Sequence, residues 1–161
     1  MMSAQLVNVM SYQNEDTVIN TCIDFIGQSL VVTNDRGELV IWCDSGEILK
    51  REEHQNMITC LAVSSADELI ATGSISSEED LAQVVIWFFQ SNDLTVIDKI
   101  NVRLETIPSP ILSNKTDSNK KPREADIQSL HLSRSQKNHK VLIGVTKGDI
   151  YEYSFEAALR R

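Results

Sequence analysis

Cysteine is scarce in this sequence, and its few copies are not arranged for redox or metal chemistry. Cys22, Cys43 and Cys60 make an odd number, and no two of them form a Cys-x-x-Cys pair. Each lies in an apolar, strand-like run such as "LVIWC" or "ITCLAV". We therefore expect buried structural thiols rather than a disulfide framework.

Long apolar runs are also missing. No stretch approaches the roughly 18 apolar residues that a membrane-spanning helix needs. The start, "MMSAQLVNVMSYQNED", lacks a basic region followed by the apolar core of a secretory signal peptide. The sequence therefore predicts a cytoplasmic protein with no membrane insertion.

Positive charge is in short supply as well. The 15 lysines and arginines are outnumbered by 23 aspartates and glutamates, which gives a formal net charge of −8. A nucleic-acid partner is disfavoured, because neutralising phosphates requires a basic surface. Hydrophobic residues at 42% and charged residues at 24% are ordinary for a globular protein and argue against whole-chain disorder.

What the sequence does contain is a series of short apolar or alternating runs separated by Gly, Asn, Asp and Ser clusters. This pattern is typical of β-strands and turns. Eleven strands are predicted, with almost no helix. In order they are "VINTCIDFI", "SLVVTN", "ELVIWC", "EILKRE", "MITCLAVS", "ELIATGS", "QVVIWFF", "LTVIDKI", "IQSLHLS", "KVLIGVT" and "DIYEYSF".

The strands recur with a common turn chemistry, which indicates an internal repeat. Trp42 follows Gly37 by five residues, and Tyr153 follows Gly148 by the same interval, so "RGELVIWC" aligns with "KGDIYEYS". Trp87 in "QVVIWFF" is the middle member, 45 residues after Trp42 and 66 before Tyr153. The first interval fits a four-stranded repeat of about 40–45 residues. The second requires an insertion.

That insertion is visible as a change of composition. All three prolines, Pro108, Pro110 and Pro122, lie in the polar segment "LETIPSPILSNKTDSNKKPREAD". We therefore expect a loop over 104–126. The predicted organisation is a lead-in at 1–16, repeats over 17–155 and a tail at 156–161. The repeats divide into units at 17–53 and 54–100 and a partial unit at 127–155.

These residues resemble the WD40-repeat family, through "SLVVTNDRGELVIWCDSGEILKREEHQNMITCLAVSSADELIATGS" followed by "VVIWFF". The resemblance implies an all-β fold, a partial WD40-type β-propeller with about three antiparallel four-stranded blades. The segments "EHQNMITCLAVSSADELIATGS" and "KVLIGVTKGDIYEY" are most similar to the propellers of echinoderm microtubule-associated-protein-like and ciliary WD-repeat proteins. The resemblance therefore implies a non-enzymatic protein-interaction scaffold, with tubulin or other axonemal WD-repeat proteins as partners.

The sequence departs from the family's pattern in its most characteristic dipeptide. The Asp of Trp-Asp is replaced by Cys43, Phe88 and Ser154. In the family, an Asp, a His, a strand Ser or Thr and the Trp form a buried hydrogen-bonded chain. The resemblance implies that such a chain exists at most once here. Its members would be His54, Thr72 and Trp87, with Asp80 as the acidic candidate.

Residues for catalysis or metal binding are not grouped in any recognised pattern. The histidines, His54, His131 and His139, lack metal-ligand spacing. Paired carboxylates at Glu52-Glu53 and Glu78–Asp80 fit charged runs that face water. We expect no enzyme, no catalytic, cofactor-binding or metal site, and no cofactor.

Two alternatives to the microtubule-binding scaffold stay open. One is an adaptor subunit of a ciliary or trafficking complex without tubulin contact. The other is a propeller that binds a ligand or catalyses a reaction in its central channel. A closed propeller needs about 4–8 blades, so we also expect further blades or a partner chain to complete the ring.

Overall fold

The chain is all-β over the residues that its computed structural model describes, which are 18–75, 81–103, 127–135, 138–145 and 148–156. Eleven strands lie within these ranges. They are β1 Asn20–Ile26, β2 Ser29–Asn34, β3 Glu38–Trp42, β4 Ile48–Glu52, β5 Ile58–Ser64, β6 Leu69–Ser74, β7 Leu81–Gln90, β8 Asp93–Arg103, β9 Ile127–Ser135, β10 Asn138–Val145 and β11 Ile150–Phe155. The all-β prediction is confirmed there. The predicted lead-in at 1–16 and loop at 104–126 lie outside the described residues.

The strands form three antiparallel sheets in which neighbours along the chain are neighbours in space. Sheet A has the order β1-β2-β3-β4, sheet B the order β5-β6-β7-β8, and sheet C the order β11-β10-β9. Each sheet is therefore a simple meander. Short turns suffice because antiparallel strands need no crossover connection.

Turn chemistry explains why the chain reverses where it does. The predicted glycines Gly37, Gly46 and Gly148 all have positive φ, between +80° and +89°. The β7–β8 hairpin instead turns through Ser91 and Asn92, whose φ values are +52° and +58°. Two central residues of positive φ make the tight turn that matches the twist of the flanking strands.

The three sheets pack face to face in the order A, B, C. The core between sheets A and B contains Ile26, Val31, Leu39, Ile41, Cys43, Ile70, Val85, Trp87, Phe89 and Leu94. The core between sheets B and C contains Cys60, Ala62, Leu69, Ala71, Ala82, Val84, Ile86, Val102, Ile127, Val141, Ile143, Val145 and Phe155. Sheet B is thus buried on both faces.

The first strands of the sheets lie side by side. Strand β1 contacts β5, and β5 in turn contacts β9. The Cys22 thiol donates to the Thr59 carbonyl at 3.4 Å, and the Thr59 hydroxyl donates to the Ile127 carbonyl at 2.6 Å. These side-chain bonds connect three strands that belong to different sheets.

The three sheets share one register. An irregularity interrupts the pairing of the first two strands at Asn20/Cys22 in sheet A, at Ile58/Cys60 in sheet B and at Gly144/Val145 in sheet C. Beside this irregularity, one residue of the second strand, Thr33, Gly73 or Gly144, pairs regularly with the first strand. The residue three positions earlier on the second strand pairs with an aromatic residue of the third strand. The pairs are Leu30 with Trp42, Ile70 with Trp87, and Val141 with Tyr153. The register therefore gives the three aromatic residues equivalent positions.

The β2–β3 turn of sheet A presses against the segment that leads into sheet B. Gly37 has a φ of +80°, and a Cβ placed there would collide with the backbone carbonyl of His54 and lie 2.8 Å from that of Asn56. Only glycine satisfies both the conformation and the space. This turn therefore fixes how closely sheet A approaches the β4–β5 connection.

Candidate functional site

The most organised group of polar side chains lies inside sheet B. Thr72 on β6 accepts a hydrogen bond from the Trp87 indole nitrogen at 2.8 Å, and its hydroxyl lies 2.7 Å from Nε2 of His54. All three residues are buried, with His54 at 5%, Thr72 at 0% and Trp87 at 1% exposure. The structure thus joins the three residues that the sequence singles out. Asp80 lies outside the described residues.

Burial keeps the His54 imidazole neutral. Removal from water lowers its pKa from 6.5 to about 4, and the charge of Lys99 acts in the same direction. The donor of the His54–Thr72 hydrogen bond depends on the imidazole tautomer, since the single hydroxyl proton of Thr72 can also go to the Val85 carbonyl at 3.5 Å. His54 Nδ1 finds no hydrogen-bond partner among the described residues.

The other two sheets lack the central hydroxyl of this chain. The register of the second strands places Val32 of sheet A and Ile143 of sheet C where sheet B has Thr72. Neither aliphatic side chain can bridge a ring nitrogen to an indole. The observed distribution agrees with the prediction that the chain exists at most once.

The three equivalent aromatic residues are buried to different extents. Trp87 is fully buried, whereas Trp42 and Tyr153 are half-buried. The Tyr153 hydroxyl donates to Asp98 Oδ2 at 2.8 Å and so links sheet C to β8 of sheet B. This hydrogen bond is the main reason that the pKa of Tyr153 is raised, and partial burial and the negative charge of Asp98 raise it further. Trp87 and Tyr153 thus each make a hydrogen bond that fastens one strand to another.

A second polar cluster, which the sequence does not reveal, connects sheets B and C. Asp67, in the β5–β6 turn, accepts from the Ser64 hydroxyl at 2.8 Å and lies 3.3 Å from Arg134 Nη1. His139 Nε2 is 3.4 Å from the same carboxylate, an ion-pair distance without hydrogen-bond geometry. Burial alone would raise the pKa of Asp67. The Ser64 hydroxyl and the charges of His139 and Arg134 together have the larger effect, so the pKa of Asp67 is lowered.

A third polar cluster belongs to sheet A and contains a buried carboxylate. Glu38 is 5% exposed, accepts from the Asn34 amide at 2.6 Å and forms an ion pair with Lys50. Burial raises its pKa, but Lys50 and Asn34 outweigh that effect and lower it. This group closes the β2–β3 hairpin onto β4 and has a structural role.

Two of the three thiols are buried in a way that makes them unreactive. Cys43 and Cys60 are buried as predicted, whereas Cys22 is half-buried, and all three are free. Burial raises the pKa of Cys60 to about 12, and it also raises the pKa of Cys43. A protonated thiol is a poor nucleophile and a poor metal ligand.

The remaining candidates for chemistry are dispersed. His131 is exposed on β9, and His139 is buried beside Phe155 with ring centroids 5.7 Å apart. Glu52 is exposed, Glu53 pairs with Lys99 at 2.6 Å, and Glu78–Asp80 lie outside the described residues. In the described part of the chain, no three His, Cys, Asp or Glu side chains come together as metal ligands.

The outer face of sheet A, which is turned away from sheet B, exposes several large apolar side chains. Ile23 is 68% exposed, Phe25 58% and Ile48 50%. Ile23 and Phe25 alternate along β1 and so point the same way. Clusters of exposed apolar residues mark interaction surfaces more often than scattered ones do. We take this face as the candidate binding surface.

Over the described residues, no helix is long and apolar enough to span a membrane. No protein-family model matches the sequence, and no curated protein matches it either. Among solved structures, the crystal structure of the computationally designed Ika4 protein is similar, with a TM-score of 0.49 and 18% sequence identity. The match covers 83% of this chain and 64% of that protein, so this chain spans less than two thirds of its length.

Proposed function

We propose that this chain is a segment of a WD40-type β-propeller that acts as a non-enzymatic protein-interaction scaffold in the cytoplasm. The observation that carries the proposal is the arrangement of three antiparallel meanders whose first strands, β1, β5 and β9, lie side by side. In a propeller, four-stranded sheets are arranged radially around a central axis. Adjacent first strands are what such an arrangement requires.

The shared register supports the same proposal. Each sheet has its irregularity at the same place and its large aromatic residue at the same position of the third strand. The His54–Thr72–Trp87 chain lies within one such unit, joining its entry segment to its second and third strands. A repeated unit of this kind stacks on its neighbours and buries a continuous core between them.

A binding role is favoured over catalysis by how the buried polar groups are used. Thr72 bonds His54, Ser64 bonds Asp67, and Asn34 bonds Glu38. Each of these contacts fastens one strand or turn to another. Groups that are already engaged in the fold are poorly placed to bind and release a substrate.

The scaffold proposal is tested by asking whether partners depend on the candidate binding surface. The full chain and its Ile23→Lys, Phe25→Lys double variant would be compared by affinity capture and quantitative mass spectrometry, with Ile150→Lys on sheet C as the matched control. We expect specific proteins to be lost with the double variant and retained with the control. Identical capture by all three proteins would contradict the proposal.

The narrower form of the proposal is attachment to microtubules or axonemes, which rests on the sequence resemblance alone. Co-sedimentation of the full chain with polymerised tubulin tests it. Pelleting with microtubules, and not without them, is the expected result. If the protein stays in the supernatant, the adaptor role without tubulin contact replaces this form.

A further inference from the structure

Sheets A and B each have a fourth strand beside their third strand, and the described part of sheet C does not. Strand β4 pairs with β3, and β8 pairs with β7. Among the described residues, β11 pairs with β10 only. The backbone groups of β11 that point away from β10 therefore form an open edge. A row of such groups is a template for one more strand.

The exposure of Tyr151 shows the effect of this open edge. The register makes Tyr151 equivalent to Val40 of sheet A and Val85 of sheet B. Tyr151 is 41% exposed, whereas Val40 is 6% and Val85 is 0% exposed. Cover by a neighbouring sheet does not explain the difference. Tyr151 alternates with Tyr153 on the face that packs on sheet B, whereas Val40 lies on the outer face of sheet A.

The residues that do explain it are the lysines of the two fourth strands. Lys50 of β4 is the pairing partner of Val40, and Lys99 of β8 is the pairing partner of Val85. A lysine stem lies along apolar neighbours while its ammonium group stays in water. A lysine is therefore the side chain that both complete sheets place beside this position of the third strand.

Sheet C also has the carboxylate that such a lysine would need. In sheet A, Lys50 forms an ion pair with Glu38, the residue after the turn glycine. Asp149 follows the turn glycine of sheet C in the same way and is exposed. It lies two positions before Tyr151, the spacing that puts two side chains of an extended segment on one face. A lysine beside Tyr151 would therefore reach Asp149 as its counterpart in sheet A reaches Glu38.

We propose that the open edge of β11 binds an extended segment of another protein as a fourth, antiparallel strand, with a lysine beside Tyr151 and an aliphatic residue beside Tyr153. The aliphatic residue follows from the complete sheets, where Ile48 and Val96 pair with the tryptophans equivalent to Tyr153. Peptides bind to sheet edges through main-chain hydrogen bonds, and alternate side chains give specificity. This edge is separate from the candidate binding surface on sheet A, so the inference goes beyond the proposed function.

Charge favours a basic partner over a second copy of this chain. The segment 148–156 has no lysine or arginine, and it has three carboxylates, on Asp149, Glu152 and Glu156. Two copies of β11 side by side would bring these like charges together, which is unfavourable. In a second copy, the lysine of β4 is already paired with Glu38. A foreign strand that carries its own lysine meets neither obstacle.

The experiment uses a peptide that carries the fourth strand of sheet A. The probe is a fluorescent peptide with blocked ends and residues 45–51 of this chain, "SGEILKR", and anisotropy measures its binding to the full chain at low ionic strength. We expect the unaltered chain to bind it and Asp149→Lys to bind about tenfold more weakly. Asp44→Lys, at an exposed carboxylate of sheet A, is the control and should not change binding.

A charge exchange shows whether the lysine meets the carboxylate. Lys50→Glu in the peptide should weaken its binding to the unaltered chain by about tenfold. The same peptide should bind Asp149→Lys at least as well as it binds the unaltered chain, because the two charges are then reversed together. If the two substitutions act independently, the pair does not form and the proposal is wrong.

Modified peptides show whether the contact is a β-strand. In an antiparallel pair, alternate residues direct their amide groups toward the neighbouring strand. N-methylation of one alternating set of peptide residues should abolish binding, and N-methylation of the other set should preserve it. Equal binding by the two modified peptides would show that no strand is added to β11.

The surface on sheet A is tested separately. The Ile23→Lys, Phe25→Lys variant should bind the probe as the unaltered chain does. Ile150→Lys should also keep binding, because Ile150 points to the face opposite Tyr151. Loss of probe binding in the double variant would place the peptide on sheet A and overturn this inference without affecting the scaffold proposal.

Three further results would overturn the inference. The first is no binding of the probe to the unaltered chain at about 1 mM peptide. The second is association of the unaltered chain with itself that Asp149→Lys abolishes, which would make the occupant a second copy. The third is probe binding that appears only after residues 157–161 are removed, which would make that segment the occupant.

Discussion

The two faces of sheet B are packed in different ways. The face toward sheet A buries large side chains, Trp87 and Phe89 among them, and its polar group is central and neutral. The face toward sheet C buries three alanines among aliphatic side chains and has no buried aromatic residue of sheet B in its core. Its charged contact, between Asp67 and Arg134, lies at the edge of the interface. The stability of the interface between sheets A and B, the A/B interface, should therefore depend on side-chain volume and fall in acid. The stability of the interface between sheets B and C, the B/C interface, should depend on charge.

The strongest test of this comparison is to remove a large side chain from the A/B interface. Trp87→Ala removes the largest fully buried side chain and leaves Thr72 and His54 without the indole. We expect the free energy of unfolding to fall by about 3–5 kcal/mol. Urea denaturation measures the change. Ile86→Val, at a neighbouring position that faces sheet C, is the control and should cost about 1 kcal/mol. Equal losses would show that the two faces do not differ in this respect.

Acid should weaken the A/B interface through His54. Its pKa is about 4 in the folded protein and near 6.5 in the unfolded chain. The unfolded state therefore binds the proton more tightly, and stability that is present above pH 6.5 is lost as the pH falls toward 4. The loss should reach about 3 kcal/mol. Urea midpoints between pH 7 and 4 measure it, and His54→Leu should remove most of this slope. An unchanged slope in that variant would assign the effect to another group.

The B/C interface should depend on the Asp67 carboxylate. Asp67→Asn keeps the shape but removes the charge that faces Arg134 and His139. We expect a loss of about 1–2 kcal/mol at pH 7. The lowered pKa of Asp67 means that its own contribution disappears only as the pH falls below about 4. Amide hydrogen exchange should accelerate in β10 more than in β3. Glu52→Gln, at an exposed position, is the control and should change neither the stability at pH 7 nor the rate of amide exchange in β10.

The smallest expected effect concerns the link between β11 and β8. Tyr153→Phe removes the hydrogen bond to Asp98 and should cost about 0.5–1.5 kcal/mol. Because the pKa of Tyr153 is raised, the stability from this bond is present below the ordinary phenol pKa and is lost at higher pH. Ultraviolet titration follows the ionisation of the phenols in the unaltered chain and in the Tyr153→Phe and Tyr151→Phe variants. The phenol with the raised pKa should be missing from Tyr153→Phe and present in Tyr151→Phe.

Strand positions and the repeat could be read from the sequence because they depend on local chemistry. Alternating apolar residues and the turn glycines placed all eleven strands, and the aromatic spacing aligned Trp42, Trp87 and Tyr153 as the register does. The His54–Thr72–Trp87 chain was accessible only through the family resemblance. Its members are 18 and 15 residues apart, and periodicity alone does not connect them.

The rest depends on how the sheets meet, which the local pattern does not encode. Asp67 and His139 belong to different sheets, and nothing in their own segments indicates a contact. Ile23 and Phe25 alternate in the same way as Leu61 and Val63, yet only the second pair is covered. An apolar alternation shows which side of a strand should be buried. It does not show whether a neighbour is present.

The glycine turn of sheet A extends the hydrogen-bonded chain of sheet B to a position that takes no part in it. The tip of the β2–β3 hairpin at Gly37 lies against the backbone of His54, the residue whose ring reaches Thr72. Any side chain added at position 37 would meet the carbonyl of His54 and press on the segment that holds the ring. A substitution in a turn of sheet A would therefore disturb a hydrogen bond inside sheet B, although the two residues are 17 positions apart in sequence.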